Sequence, residues 1–259
     1  MTLCNKRKEI IAMFFIFALW ELGSYVVKRS FFPSVYASVS ALFRLLTEGT
    51  LLPHFMASLY RMGAGTLLGV LVSVPTGLLI GQSKLLNDYL GTVLNILYPV
   101  PKVVFLPVIV VGMGIGDAPK IFLIALVLFF QMAVVIRDAA QNIPMELSLS
   151  MTALGANRHQ YLYHLVFQAC LPDVMTALRG TIGVSTAMLF ITENFASSKG
   201  LGYYITKCMD RRDYENMYAG ILALIALGLL LYGLIGLLER KICRWKILES
   251  SVKEIWEEK

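Results

Sequence analysis

The sequence predicts an all-α integral membrane protein of six spans, and three observations predict it. Of 259 residues, 57% are hydrophobic and only 15% charged, whereas soluble domains carry about a quarter charged residues. Mean hydropathy is +0.68. The apolar residues gather into runs near the roughly 20 residues that a helix needs to cross a bilayer. These runs cover about 9–27, 57–81, 90–113, 119–140, 172–193 and 216–238. The chain, 1–259, reads as one transmembrane domain with its core at about 57–240.

The net charge of +6 and pI near 9.1 do not point to nucleic acid. The basic residues flank apolar runs, where lipid headgroups and topology account for them. Cys4, Cys170, Cys208 and Cys243 form no C-x-x-C, and His54, His159 and His164 form no H-E-x-x-H. Neither a disulfide scaffold nor a metal site is expected.

The first run follows Lys6-Arg7-Lys8, as a signal peptide would, but Trp20-Glu21 interrupts it where a cleavage site is due. It is expected to be a retained span. Six spans place both termini on one side. Lys6, Arg7 and Lys8 before the first, and Arg240, Lys241, Arg244 and Lys246 after the last, make that side the cytoplasm. Segments 82–89 and 141–171 are then inside, and 28–56, 114–118 and 194–215 outside, although Lys199, Lys207, Arg211 and Arg212 lie in the last.

In the second run Gly65, Gly69, Ser73, Gly77 and Gly81 recur every four residues. Such a ridge lets helices approach closely in lipid, either within one bundle or at a dimer seam. The third run holds Pro99, Pro101 and Pro107. Each proline removes a backbone donor, and the freed carbonyls must be buried in protein or line a cavity. A straight lipid-facing helix is therefore not expected. In the fifth, Arg179, Thr186 and Glu193 are spaced by seven, with Gly183 between them. Two readings stand: a pathway or subunit interface, or interfacial anchoring. Glu21 and Arg61, near span ends, read as anchors.

The segment 141–171 is polar between apolar neighbours. Residues 146–154 contain no Gly or Pro, and Pro144 suits a helix start. Leu147, Met151 and Leu154 share one helical face, and Gly155 permits a turn with positive φ. Such a face seeks either a groove on another protein or the bilayer surface.

Pro144 and Glu146, then Leu154-Gly155-Ala156, then Leu171-Pro172 and Leu178-Arg179, resemble the cytoplasmic signature loop of ABC importer permeases. Trp20-Glu21-Leu22, Phe32-Pro33-Ser34, Ser58-Leu59-Tyr60-Arg61, Tyr98-Pro99-Val100-Pro101, Gly114-Ile115-Gly116 and Gly200-Leu201-Gly202-Tyr203 follow in matching order. They extend the resemblance over nearly the whole chain, to the nitrate, sulfonate and taurine group. The chain departs where the family has Glu-Ala-Ala and this sequence Leu149-Ser150-Met151, at Gln168 for Pro, and at Ser185-Thr186 for Ala-Trp.

The resemblance implies a six-span type I ABC importer permease bundle with a cytoplasmic coupling helix in the inner membrane. Glu146 would cap or orient that helix. Leu147, Met151 and Leu154 would fill a groove on a separate ATPase, and Gly155 and Ala156 would turn the backbone tightly. No G-x-x-x-x-G-K-[ST] occurs, so ATP and Mg would belong to the partner and no cofactor to this chain. A second permease copy and an extracytoplasmic substrate-binding protein complete the expected assembly. The solute would be small, an anion such as a sulfonate or nitrate, or a vitamin precursor. A secondary carrier would need a coupling residue deep in a span and internal repeats. A membrane enzyme would have to use Asp210-Arg211-Arg212-Asp213, which lacks catalytic partners.

Overall fold

The computed structural model describes residues 3–27 and 31–245, with side chains from Ile11 onward. Lys246 and the side chains of Lys6, Arg7 and Lys8 lie outside the described residues. Ten helices and no strand occur among the described residues. They are α1 Leu3–Val27, α2 Val35–Thr47 and α3 Leu52–Gly81; α4 Lys84–Leu97 and α5 Lys102–Met113; α6 Ala118–Gln141, α7 Met145–Ala153 and α8 Arg158–Asn194; and α9 Leu201–Asp210 and α10 Tyr214–Ile242.

Helices α3, α6, α8 and α10 are long and apolar enough to cross a membrane, and α4 with α5 makes a fifth crossing bent by 86° at its break. The bend falls at Tyr98-Pro99-Val100-Pro101, as the prolines require. The described residues do not by themselves establish the sixth expected span. Ile11–Val27, the part of α1 with described side chains, is a shorter apolar stretch of 17 residues.

The helix that contains the fifth apolar run begins well before that run. Helix α8 starts at Arg158, inside the polar segment 141–171, and runs on through the apolar run. Asn157 and Gln160 form a reciprocal capping box that starts the helix. Pro172 does not stop it. A π-helical stretch, Tyr161–Phe167, ends five residues before that proline, and local π turns are one way a membrane helix accommodates a missing donor.

The chain forms two compact units. One comprises residues 1–59 and 193–227. In it the Trp20 indole donates to the Pro33 carbonyl at 3.1 Å, and the Glu21 carboxylate accepts the Val35 N–H at 2.8 Å. Glu21 is therefore no simple interface anchor. It satisfies an orphan donor at the start of α2, where the helix dipole favours negative charge. Helix α2 buries Ser38, Ala41 and Leu45, and α9 buries Leu201, Tyr204, Ile205 and Cys208, each a stripe at helical spacing.

The other unit comprises residues 60–192 and 228–259 and is organised around α6. Leu123, Ile124, Leu128, Met132 and Ile136 of α6 are fully buried. The small-residue ridge of α3 packs on them. A Cβ at Gly65 would lie 2.7 Å from Ile124, at Gly69 2.8 Å from Leu128, at Gly77 2.8 Å from Ile136 and at Gly81 2.6 Å from Ala140. Ser73 is buried on the same ridge. Of the two readings of this ridge, packing within the chain is the one the structure contains.

Each step of four along α3 meets a step of four in the same sense along α6, so the two helices run parallel. Residues 82–117 must therefore return across the membrane between them. Leu94 packs with Ala133 while Lys102 lies over Phe130, so the broken segment runs opposite to α6. It is a crossing, not a re-entrant loop.

Close approach predicts a sharp contrast between glycines. Gly81→Ala sets a methyl 2.6 Å from both the Ala140 Cβ and the Arg137 carbonyl oxygen, which cannot step aside. It is expected to cost about 1–3 kcal/mol and to lower the melting temperature in detergent. Gly63→Ala, with nothing within 4 Å, is expected to melt at or above the wild-type temperature because alanine favours helix. Equal behaviour of the two variants would contradict the packing.

Candidate functional site

Helix α7 and the turn behind it form an exposed elbow. Pro144 precedes α7 and Glu146 stands in its first turn. An acidic side chain in that turn is favoured by the helix dipole. At the far end the Gly155 N–H donates to the Thr152 carbonyl at 3.0 Å and the Ala156 N–H to Met151 at 3.1 Å. This is a Schellman ending, which needs a left-handed residue after the helix. Gly155 has φ +71°.

Leu154 is 81% exposed, and Leu147 is also exposed, while Met151 and Ala156 are half-buried. Met145 and Leu149 are exposed on the opposite side of α7, so apolar surface is offered by two faces and not by one. Leu149, which departs from the family pattern in charge, contributes to that surface. The elbow is fastened on its inner side, where Ser148 Oγ and Tyr161 OH lie 2.9 Å apart. A cavity of about 410 Å³ is lined there by Gln82, Lys84, Gln141, Ser148 and Tyr161. The elbow thus adjoins the α3–α4 turn and the end of α6.

The break between α4 and α5 is closed by a residue that sequence reasoning missed. Pro101 cannot return an N–H to Leu97, four residues back. The Lys102 ammonium donates instead to the carbonyls of Leu97 and Tyr98 at 2.6 and 2.8 Å, and lies 4.5 Å from the Phe130 ring centroid. Lys102 is 8% exposed. A lysine beside Pro-Val-Pro within an apolar run was the available signal. Arg61 likewise is no anchor. It is buried and paired with Asp117 at 2.7 Å, at the start of α6.

The fifth-span residues have separate partners. Arg179 pairs with Glu239 of α10 at 3.1 Å and lies 5.7 Å from the Tyr232 ring. Gly183 is exposed. Thr186 Oγ1 donates to the Ile182 carbonyl of its own helix. Glu193 is wholly buried. Its carboxylate accepts the Ser58 hydroxyl at 2.8 Å and the Gly202 N–H at 2.8 Å, while Ser58 Oγ accepts the Leu201 N–H at 2.8 Å. The motifs around Ser58 and Gly200 thereby meet in one buried polar knot. Gly200, at φ +128°, has no room for a side chain, because a Cβ would lie 2.3 Å from the Glu193 carboxyl carbon.

Nearby in the same unit, burial pushes the Tyr204 phenol and the Cys208 thiol above their ordinary ranges, so both stay neutral. The Asp210–Asp213 cluster is the α9–α10 turn. Arg212 has φ +58°, and Asp213 accepts the Asn216 side-chain amide at 2.6 Å.

A bundle with a broken crossing and an exposed two-helix elbow describes a membrane transport subunit. Residues 65–244 match the family model of binding-protein-dependent transport system inner membrane components, and the chain belongs to that family. The aliphatic sulfonates transport permease protein SsuC of Bacillus subtilis is 29% identical over 89% of this chain and 84% of its own. The taurine transport system permease protein TauC of Escherichia coli is 29% identical over 76% of this chain and 72% of its own. Among solved structures, an inward-facing MetNI methionine ABC transporter matches with a TM-score of 0.64 at 18% identity, over 76% of this chain and 97% of that one. The fold is that of type I ABC permeases. The protein is a multi-pass permease subunit of an ABC importer, a transport component and not an enzyme.

The break supplies a test of its own. Lys102→Met removes the ammonium from both carbonyls; Leu97 keeps the Val100 N–H at 3.1 Å, so the loss falls mainly on the Tyr98 carbonyl and is expected to destabilise by about 1–3 kcal/mol. Lys102→Arg, which keeps donors and charge, is expected to lose less. Thermal unfolding of the detergent-solubilised protein reads both. A methionine variant as stable as wild type would show that the ammonium does not close the break.

Proposed function

We propose that this chain forms, with a second copy of itself, the path for a small organic sulfonate or related oxyanion, driven by a separate ATPase that holds ATP and Mg. The observation that carries the coupling is the elbow. Exposed Leu147 and Leu154 precede a turn held left-handed at Gly155, and such apolar residues on a short helix suit a groove on a partner. Glu146, Met151 and Ala156 complete the contact, with the exposed Met145 and Leu149 added by the geometry.

The substrate class is supported by the relatives, since SsuC is named for aliphatic sulfonates and TauC for taurine. A binding protein outside the membrane delivers the solute, in keeping with the family's description. Helix α1, whose described side chains are mostly apolar and mostly exposed, supplies the sixth crossing, because a helix with apolar residues around most of its surface is at home in lipid. Both termini then lie in the cytoplasm, with the elbow. Arg179, Gly183, Thr186 and Glu193 serve the path or the interface between copies through the helices they hold in place.

The experiment is a mild-detergent co-purification of wild type and Gly155→Glu with the ATPase. Wild type is expected to bring the ATPase in stoichiometric amounts and to show solute-stimulated ATP hydrolysis. The variant, which forces a side chain onto a left-handed backbone, is expected to insert normally but to lose both. A variant that keeps full stimulated hydrolysis would overturn the role given to the elbow.

A further inference from the structure

A cavity of about 440 Å³ lies between the loop that follows α8 and helix α9. All its lining residues belong to the unit made of residues 1–59 and 193–227. Its polar groups are unusually idle. Ser197 Oγ is buried and has no hydrogen-bond partner. A buried hydroxyl without a partner is unfavourable and calls for an explanation. Lys207 Nζ lies 5.4 Å from the Tyr203 ring centroid, and among the described residues neither it nor Arg211 forms an ion pair with a carboxylate. Asn194 Oδ1 accepts the Thr206 hydroxyl at 2.7 Å, which leaves the Asn194 amide hydrogens as donors.

The chemistry of this lining is one-sided. A hydroxyl, an amide, an ammonium and a guanidinium all donate, and Asp210 is the single acidic member. Two cations against one carboxylate leave a net positive charge. Charge-assisted hydrogen bonds from lysine and arginine are the strong contacts for oxygens of an anion. The Tyr203 ring adds an apolar wall for a short carbon chain. The backbone at Ala196, which also lines the cavity, is held at φ +50°, a conformation uncommon for a residue with a side chain and one that collects at ligand sites.

We infer that this cavity binds a small oxyanion, with Lys207 and Arg211 on its charge and Ser197 and Asn194 on its remaining oxygens. The free source is a sulfonate-type solute, and this preference rests on the proposed function, which puts the cavity on the extracytoplasmic side where such a solute arrives. The other source of the same chemistry is the phosphate of a lipid headgroup.

The full-length chain is placed in nanodiscs of zwitterionic phosphatidylcholine and titrated calorimetrically with ethanesulfonate and with inorganic phosphate. The same chain, extracted from membranes that contain phosphatidylglycerol, is weighed by native mass spectrometry for retained lipid. An oxyanion is expected to bind, and the Lys207→Gln/Arg211→Gln double variant to weaken it by about tenfold or more. Ser197→Ala is expected to weaken binding severalfold with no fall in melting temperature, because it removes a hydroxyl that has no partner in the free protein. Free anion lost by the double variant identifies a solute site, and phosphatidylglycerol retained by wild type but shed by the variant identifies a headgroup site. No anion bound and no lipid retained, or binding equal in wild type and double variant, overturns the assignment. Oxyanion binding here in a complex that fails to import sulfonates would leave the cavity's assignment standing and overturn the substrate reading.

Discussion

The contact between the bare face of α3 and the side chains of α6 is the constraint on which its unit depends. Lipid offers two apolar helices no hydrophobic gain on meeting, so association rests on van der Waals contact and hydrogen bonds. Small residues at every fourth position, four of the five glycine, remove the bulk that would hold the backbones apart. Ile124, Leu128, Ile136 and Ala140 then rest directly on the α3 backbone. A single register satisfies four such contacts at once, and it is a parallel one.

Parallel helices joined by a short stretch of chain impose the next feature. The segment between Gly81 and Ala118 has to cross back, yet it carries three prolines and bends by 86°. In a membrane a bend of that size exposes carbonyls that water cannot reach. Lys102 turns that liability into a closed structure, with its ammonium on two carbonyls and an aromatic face. The same rule governs the other unit, where Glu193 is buried but accepts the Ser58 hydroxyl and the Gly202 amide. A buried polar group is tolerated in both places because its partners are in position. With α3 and α6 locked together, the end of α6 and the α3–α4 turn form a platform beside the elbow. The proposed ATPase would push on a part that is tied to this platform through the Ser148–Tyr161 hydrogen bond.

Much of this was legible in the chain. The four-residue recurrence of small residues announces close approach, and the prolines announce a break. Gly155 after an uninterrupted helical stretch announces a left-handed turn. The partner of the glycine ridge was not legible, because a small face says how near a neighbour comes and not which neighbour it is. The early start of α8 was hidden by polarity. Arg158, His159 and Gln160 lower the hydropathy of a turn that the Asn157 cap nevertheless begins. Lys102, Arg61 and Glu193 read as costs or anchors when taken alone. Their roles depend on carbonyls, Asp117 and Ser58 that only the fold brings near.

The account rests most heavily on the parallel register and the crossing it requires. The direct test replaces the native cysteines with serine and introduces a single cysteine at Lys84 or at Ile115, both exposed, on either side of the broken segment. A membrane-impermeant maleimide is then applied to intact and to permeabilised cells. The account predicts that the two positions label from opposite faces of the membrane, Ile115 from outside and Lys84 only after permeabilisation. Labelling of both from the same face would make the broken segment re-entrant and would contradict the parallel pairing of α3 with α6.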